Sequence, residues 1–182
     1  NNPIGLQMLV HYDPYMWRHR IRAPFLVALG TNDEFFALGT PNSMLGEMKG
    51  DRAFLAIDNL RHSWVSTKHL AAWRMWLAHS FLGRPIPGIS ARAHVDGAEL
   101  AVQARVEAAT GPIKVRLFHA YNPLQTDWRR AHWSAIELPL VDGAYAARLP
   151  RREGQRLAWY VEVEDRGAGG AGYVSSLVQI AD

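Results

Sequence analysis

The 182-residue chain contains no cysteine, and this absence excludes several kinds of chemistry. Disulfide bonds, thiolate nucleophiles and cysteine-ligated zinc all need a sulfur atom that the sequence does not supply. Long apolar runs are absent as well, so the sequence predicts no membrane span. The hydrophobic share of 48% and the charged share of 20% are those of a folded protein with a substantial core.

Blocks of one charge are also missing. The net charge of +3 comes from arginines scattered among acidic residues, and we therefore predict no nucleic-acid partner. Seven of the eight histidines show no paired ligand spacing with carboxylates. The sequence consequently predicts neither a metal site nor a cofactor.

Two short apolar runs lie in the first half of the chain, and each leads into a candidate catalytic side chain. Residues 24–30 and 54–57 are continuous apolar segments, which is typical of strands buried on both faces of a parallel sheet. The first run leads into Asp33 and the second into His62, 29 positions later. The carboxyl ends of parallel strands share one sheet edge, where open α/β sheets bind ligands. An acid followed by a histidine is also the chain order of the second half of an α/β-hydrolase triad.

Each member of this pair also has a simpler interpretation. Asp33 fits the role of a turn residue whose carboxylate caps the loop. His62 fits that of a loop histidine bonded to the backbone, and Glu34 is a second candidate for the acid. In the catalytic interpretation, Asp33 accepts the imidazole N–H of His62, fixes its tautomer and stabilises the imidazolium.

Three aromatic residues are candidates for substrate binding. Phe35 and Phe36 directly follow the candidate acid, and Tyr15 belongs to an earlier Asp-Pro-Tyr motif. Packing into the core beneath the sheet edge is the alternative for all three, because that is the commoner position of such side chains.

The first half of the chain lacks a recognisable nucleophile. No G-x-S-x-G motif is present, and Ser63 adjoins His62, so that the two side chains point apart. Two parallel strands also need neighbouring strands and helices on both faces. We therefore expect residues 1–88 to be the carboxyl-terminal part of an α/β-hydrolase domain. The nucleophile would lie in a missing upstream segment of that domain, and this chain alone would be inactive.

Helical patterns surround the two strands. Asp13 followed by Pro14 predicts a helix start, and residues 43–48 suit a short helix. Residues 64–82 show a helical period that ends at Gly83. Their apolar members at spacings of three and four predict the face that packs on the sheet: Leu70, Trp73, Leu77 and Phe81.

The segment 83–88, Gly-Arg-Pro-Ile-Pro-Gly, is the best domain boundary in the chain. Beyond it the pattern changes to alternation, and Leu157, Trp159, Val161 and Val163 are predicted to point inward. About seven short strands at this spacing predict an immunoglobulin- or fibronectin-like β-sandwich over residues 89–182. Turn signals separate the strands at Asp96-Gly97, Thr110-Gly111-Pro112, Asp142-Gly143, Glu153-Gly154 and Gly167 to Gly172.

Several short motifs resemble the PhoPQ-activated pathogenicity-related proteins, a bacterial branch of the α/β-hydrolase superfamily. The resemblance extends in order over nearly the whole chain. Its motifs are Asp13-Pro14-Tyr15, Asp33-Glu34-Phe35-Phe36, Asn59-Leu60-Arg61-His62-Ser63, Ala120-Tyr121-Asn122-Pro123, Asp127-Trp128-Arg129, Asp142-Gly143-Ala144-Tyr145 and Trp159-Tyr160-Val161-Glu162. The resemblance implies that Asp33 is the triad acid and His62 the general base, and that the parent protein is periplasmic or secreted.

Two classes of function follow from these observations. The first is a fragment of a serine hydrolase that transfers an acyl group from a small ester or a peptide to water. The second is a non-catalytic binding or signalling protein that keeps the hydrolase frame without the chemistry. A stand-alone two-layer domain with an appended sandwich is a further interpretation, and it requires residues 1–88 to fold unaided.

Overall fold

The computed structural model describes residues 2–107, 111–123, 127–167 and 170–181. The helices of this part are α1 (Pro3–Tyr12), α2 (Pro14–Trp17), α3 (Thr40–Glu47) and α4 (Thr67–Leu82). Its strands are β1 (Phe25–Gly30), β2 (Arg52–Ile57), β3 (Gly88–Asp96), β4 (Glu99–Glu107), β5 (Pro112–Pro123), β6 (Ser134–Glu137), β7 (Leu140–Val141), β8 (Ala144–Pro150), β9 (Gln155–Gly167), β10 (Gly170–Ser175) and β11 (Gln179–Ala181). The described residues are therefore mostly β-structure, and their helices are confined to the first half of the chain.

The two apolar runs form the predicted parallel pair. β1 and β2 run in register from Phe25 opposite Arg52 to Gly30 opposite Ile57. Both strands thus end at the same level, and the residues that follow them emerge at one sheet edge. The α3 helix lies between them in sequence, where a helix was expected.

Two sheets organise the described residues. The larger has the strand order β1-β2-β10-β9-β5-β6, with β11 also paired to β9, and the smaller has the order β3-β4-β8-β7. The larger sheet continues from the parallel pair into the second half of the chain through β2 and β10. There Ser175 pairs with Phe54, and its hydroxyl accepts the N–H of Ala56 at 2.8 Å.

The smaller sheet packs against one face of the larger sheet, an arrangement compatible with a β-sandwich. Leu100 and Val102 of β4 meet Leu117 of β5 and Trp159 and Val161 of β9 in a shared apolar core. The inward orientation predicted for Trp159 is therefore confirmed. The hairpin turn at Asp142-Gly143 is confirmed as well, because both residues have the positive φ angles that a tight hairpin turn requires.

The other face of β9 is buried as well. Strict alternation places Tyr160 and Glu162 in solvent, but both are fully buried. Tyr160 stacks on Phe118 with a ring separation of 5.0 Å and belongs to a second core that also contains Trp133 and Leu29. β9 is buried on both faces because it is a central strand with packed layers on either side.

The α4 helix corrects a prediction. The face predicted to pack on the sheet is exposed: Leu70 is 63% exposed, Leu77 55% and Phe81 80%. The helix instead buries His69, Ala72 and Trp76. Lys68 lies on the inward side of the helix, where its ammonium group reaches Glu162 of β9 at 2.7 Å.

Two predicted turns fall partly beyond the described residues. Residue 110 of the Thr110-Gly111-Pro112 turn and residues 168–169 of the Gly167 to Gly172 turn lie outside them. Across the described ranges, none of the helices combines the length and the hydropathy needed to cross a membrane.

Candidate active site

The site is built where β1 and β2 end side by side. The N–H of Thr31 donates to the carbonyl of Ile57 at 2.9 Å, and the N–H of Asn32 donates to the carbonyl of Leu60 at 3.0 Å. The turns that follow the two strands therefore continue the parallel pairing for a few residues. Gly30 permits this approach, since a Cβ atom there would overlap the carbonyl oxygen of Leu60 and lie 2.7 Å from its carbonyl carbon.

These turns bring Asp33 and His62 into direct contact. Asp33 Oδ2 lies 2.9 Å from His62 Nδ1, and the other carboxylate oxygen accepts the backbone N–H groups of Phe35 at 2.7 Å and Phe36 at 2.9 Å. The carboxylate thus caps its own turn and contacts the imidazole at the same time. Asp33 can therefore cap its turn with one carboxylate oxygen and contact the imidazole with the other, so the two interpretations of this residue are compatible.

Burial and charge differ between the partners. The Asp33 side chain is 4% exposed, whereas that of His62 is 46% exposed. Burial raises the pKa of Asp33, but hydrogen bonds from the backbone of Phe36 and Phe35 and from the His62 ring outweigh it, so that the pKa falls below its ordinary value. Asp33 is therefore a carboxylate at neutral pH, the form that accepts an imidazole N–H.

Glu34 contacts the same loop in a different way. Its Oε2 accepts the backbone N–H of His62 at 3.0 Å and lies 3.9 Å from Arg61 Nε. The hydrogen bond from His62 is the main reason that the pKa of Glu34 lies below its ordinary value. Glu34 thus supports the backbone of the loop, whereas Asp33 is the acid that contacts the ring.

Phe35 and Phe36 flank the imidazole. The Phe35 ring meets the His62 ring edge-on at 4.8 Å, and the Phe36 ring lies 5.8 Å from it. Phe35 is 74% exposed and Phe36 is 52% exposed. Neither residue therefore packs in the core, which was the alternative interpretation. Tyr15 and Phe36 both line a groove of about 640 Å³, and the Tyr15 hydroxyl donates to Glu47 at 3.4 Å.

Neither Ser63 nor a metal site adds to the Asp33–His62 pair in the described part of the chain. The Ser63 hydroxyl accepts the N–H of Val65 at 3.1 Å, which is a local turn contact. Within the described ranges, no group of three or more His, Asp and Glu side chains is arranged to hold a metal ion.

The sequence analysis missed three polar residues that connect this edge to the second half of the chain. Thr31 donates its hydroxyl to Asn32 Oδ1 at 2.7 Å, and Asn32 in turn donates to the carbonyls of residues 129 and 131 at 3.1 and 2.7 Å. Asn59 exchanges two hydrogen bonds, each 2.9 Å long, with the main chain of Trp133. Only the positive φ of 54° at Asn59 has a sequence correlate, because asparagine is enriched in that conformation.

Asp33 also lines a small cavity of about 260 Å³ shared by both halves of the chain. Glu34, Phe35 and Leu38 contribute from the first half, and Trp128 and Arg129 contribute from the second. Asp127 pairs with Arg129 at 2.7 Å on its rim, and this pairing lowers the pKa of the carboxylate to about 2. The polar residues that face Asp33 thus come from two distant segments.

A comparison with protein-family models assigns the chain. The model described as "PhoPQ-activated pathogenicity-related protein" matches residues 1–129, well over half of the sequence. The chain belongs to the PhoPQ-activated pathogenicity-related protein family. The match includes the Asp33 and His62 turns of this PhoPQ-related chain and ends at Arg129, before the main-chain partners of Asn59.

Comparisons with individual proteins add little to this assignment. No curated protein matches the PhoPQ-related chain significantly. Among solved structures, a DUF3823 family protein from Bacteroides ovatus is similar, with 10% identity and a TM-score of 0.36. The alignment covers 73% of this chain and 61% of that protein.

Proposed function

We propose that this chain supplies the acid and the general base of a serine α/β-hydrolase. The observation that carries the proposal is the 2.9 Å contact between Asp33 Oδ2 and His62 Nδ1 at the ends of adjacent parallel strands. In such a triad the acid holds the imidazole in one tautomer and stabilises the imidazolium that forms during the reaction. Asp33 is suited to this role because it is buried, ionised and fixed by two backbone N–H groups.

The proton route follows from this contact. When His62 Nδ1 carries a proton and donates a hydrogen bond to Asp33, Nε2 keeps a free lone pair for a second partner. Nε2 takes the proton of a serine hydroxyl as the oxygen attacks an acyl carbon, and returns it to the leaving group. Water then releases the acyl group by the same route. Proton transfer of this kind contributes about 10²–10⁴-fold to the rate.

The serine would come from an upstream segment of the same hydrolase domain, of which residues 1–88 would form the carboxyl-terminal part. One edge of β1 supports this proposal. Among the described residues β1 pairs only with β2, and the groove of about 640 Å³ contacts all four consecutive residues of 26–29. Consecutive strand residues point to opposite faces, so a groove that contacts four of them runs along the strand edge. A further strand fits such a groove, and residues 89–182 would form the sandwich domain, whose larger sheet continues into β1 and β2.

The proposed substrate is a small ester or a peptide. Phe35 and Phe36 extend into solvent beside the imidazole, where they are suited to hold an apolar acyl or leaving group. Tyr15 extends this apolar surface through the groove that it shares with Phe36.

Labelling with a fluorophosphonate probe tests the proposal. The complete encoded polypeptide should be labelled on one serine, and the His62→Ala variant should lose at least about 99% of the labelling rate. The matched control His94→Ala replaces an exposed histidine of β3 and should be labelled at the normal rate. The 182-residue chain by itself should not be labelled. Stoichiometric labelling of the isolated chain, or unchanged labelling of His62→Ala, would contradict the proposal.

The exposure of Phe35 and Phe36 also favours a second candidate, a non-catalytic binding or signalling protein built on the same frame. Exposed aromatic side chains of this kind often mark contact surfaces. The same experiment separates the two candidates, because a binding protein would leave the probe unreacted in its complete form. Family membership leads us to propose a periplasmic or secreted location for the parent protein, which cell fractionation would test.

A further inference from the structure

We propose that Asn59 is a positioning residue, which transmits the geometry of the second half of the chain to the Asp33–His62 pair. The inference rests on the proposed function, since it concerns how the acid and the base are held together.

The loop that carries His62 needs support because it is exposed and short. Asn59 follows β2 by two residues and adopts a left-handed conformation with φ 54°. Its N–H donates to the hydroxyl of Thr31 at 2.9 Å, which joins the loop to the turn that carries Asp33. The backbone on this side of the loop is thus fixed to β1.

The side chain of Asn59 joins the loop to the second half of the chain. Its Oδ1 accepts the N–H of Trp133, and its Nδ2 donates to the carbonyl of Trp133, both at 2.9 Å. This pairing needs one donor and one acceptor at the end of a short side chain, which is the chemistry of asparagine. A carboxylate of the same shape would put an oxygen against the carbonyl of Trp133, and the second hydrogen bond would become a repulsion.

Trp133 is a firm anchor for this contact. Its residue is 2% exposed, and its ring lies 5.4 Å from Tyr160 of β9 and 6.3 Å from Trp128. A side chain packed in this way cannot move without opening the core of the larger sheet. Through Trp133, the Asn59 loop is therefore held in a fixed position relative to β9, the central strand of the larger sheet.

A second amide reinforces the same link on the acid side. Asn32 precedes Asp33 and donates to the carbonyls of Arg129 and Ala131 at 3.1 and 2.7 Å. The turn with the acid and the loop with the base are thus both hydrogen-bonded to one segment, residues 129–133. That common support holds the two side chains 2.9 Å apart.

A purely structural role would affect stability alone, so the test needs a signal from the imidazole. Nitrogen-15 NMR of the 182-residue chain reports the proton that His62 Nδ1 shares with Asp33, together with its exchange rate with water. Asn59→Gly tolerates the left-handed backbone and removes both hydrogen bonds. Asn59→Asp keeps the shape and replaces the donor with an acceptor.

The matched control is Asn42→Asp. The Asn42 amide donates to the carbonyl of Val178 at 2.6 Å, so the same chemical change breaks a link elsewhere in the fold. At a temperature well below each midpoint, both Asn59 variants should exchange the Nδ1 proton about tenfold faster or more, whereas the Asn42 variant should exchange it at the normal rate. If the Asn59 variants do not fold, Asn59→Ser retains one hydrogen-bonding group and should give an intermediate rate.

Unchanged exchange in the folded Asn59 variants would overturn the inference and leave the proposed function intact. Equal acceleration in the Asn42 variant would also overturn it, because the effect would then follow from general loosening. Absence of a shared Nδ1 proton in the unmodified chain would instead refute the acid–base pairing, on which both proposals depend.

Discussion

The close approach of Gly30 to the His62 loop makes Gly30→Ala a sharp perturbation. A Cβ atom at this position would overlap the Leu60 carbonyl oxygen and lie 2.9 Å from the carbonyl oxygen of Arg61. These are backbone atoms, so no side chain can rotate away, and the loop must move by about 1 Å or more to reach an ordinary contact distance. Overpacking of this kind costs about 1–3 kcal/mol, and rigid backbone neighbours favour the upper part of that range.

Movement of this loop would directly alter the contact between Asp33 and His62. Arg61 precedes His62, and the Asp33–His62 contact of 2.9 Å lies within about 0.3 Å of the upper limit of a good hydrogen bond. Moving the loop should therefore lengthen this contact and lower the midpoint of thermal unfolding by about 4–10 °C for a chain of this length.

Thermal unfolding followed by circular dichroism measures the effect, with Gly46→Ala as the matched control. Gly46 is an exposed residue of α3 with no atom near its missing Cβ, so alanine there should stabilise the chain by about 0.5–1 kcal/mol. Replacing glycine with alanine should thus lower the stability of the chain at position 30 and raise it at position 46. A Gly30→Ala variant as stable as the unmodified chain would refute the reasoning, because the two turns would then have to be less tightly packed.

Three further predictions concern polar groups, two of them buried. Glu162→Gln removes the fully buried carboxylate between Lys68 and Arg116. It should lower the free energy of unfolding, measured by urea titration, by about 2–4 kcal/mol. An unchanged free energy of unfolding would contradict a stabilising network. The Tyr160 hydroxyl is buried without a hydrogen-bond partner among the described residues, so Tyr160→Phe should leave the free energy of unfolding unchanged or raise it by about 1 kcal/mol, and a marked loss would reveal a partner. Burial lowers the pKa of His79, but a hydrogen bond to Asp51 and one to a backbone carbonyl raise it above its ordinary value. This group therefore stabilises the fold fully below about pH 6.5 and less as the pH rises through its pKa, so His79→Gln should lose more stability at pH 6 than at pH 9.

Features set by local sequence were predicted well. β1 and β2 are continuous apolar runs bounded by proline, glycine and polar turn residues, so the local sequence was enough to assign them as strands and to pair them in parallel. The neighbouring ends of two parallel strands then bring Asp33 and His62 to one edge, which required only the strand assignment. The catalytic role of the pair stays a prediction.

Features set by distant contacts were not predicted. The inward side of α4 carries the ion pair between Lys68 and Glu162, which are 94 positions apart, whereas the apolar spacing along the helix favours the opposite face. The hydrogen bonds between Asn59 and Trp133 join residues 74 positions apart. A hydrophobic pattern carries no information about such pairs, because it describes only which side of its own element each residue occupies.

The tautomer of His62 in the 182-residue chain tests the central claim most directly. Nitrogen-15 NMR at alkaline pH, where an imidazole is neutral, distinguishes a proton on Nδ1 from one on Nε2. The unmodified chain should carry the proton on Nδ1, and Asp33→Asn should move it to Nε2, because the amide of asparagine donates to Nδ1 where the carboxylate accepted. A proton on Nε2 in the unmodified chain, or the same tautomer in both proteins, would contradict the pairing of Asp33 with His62.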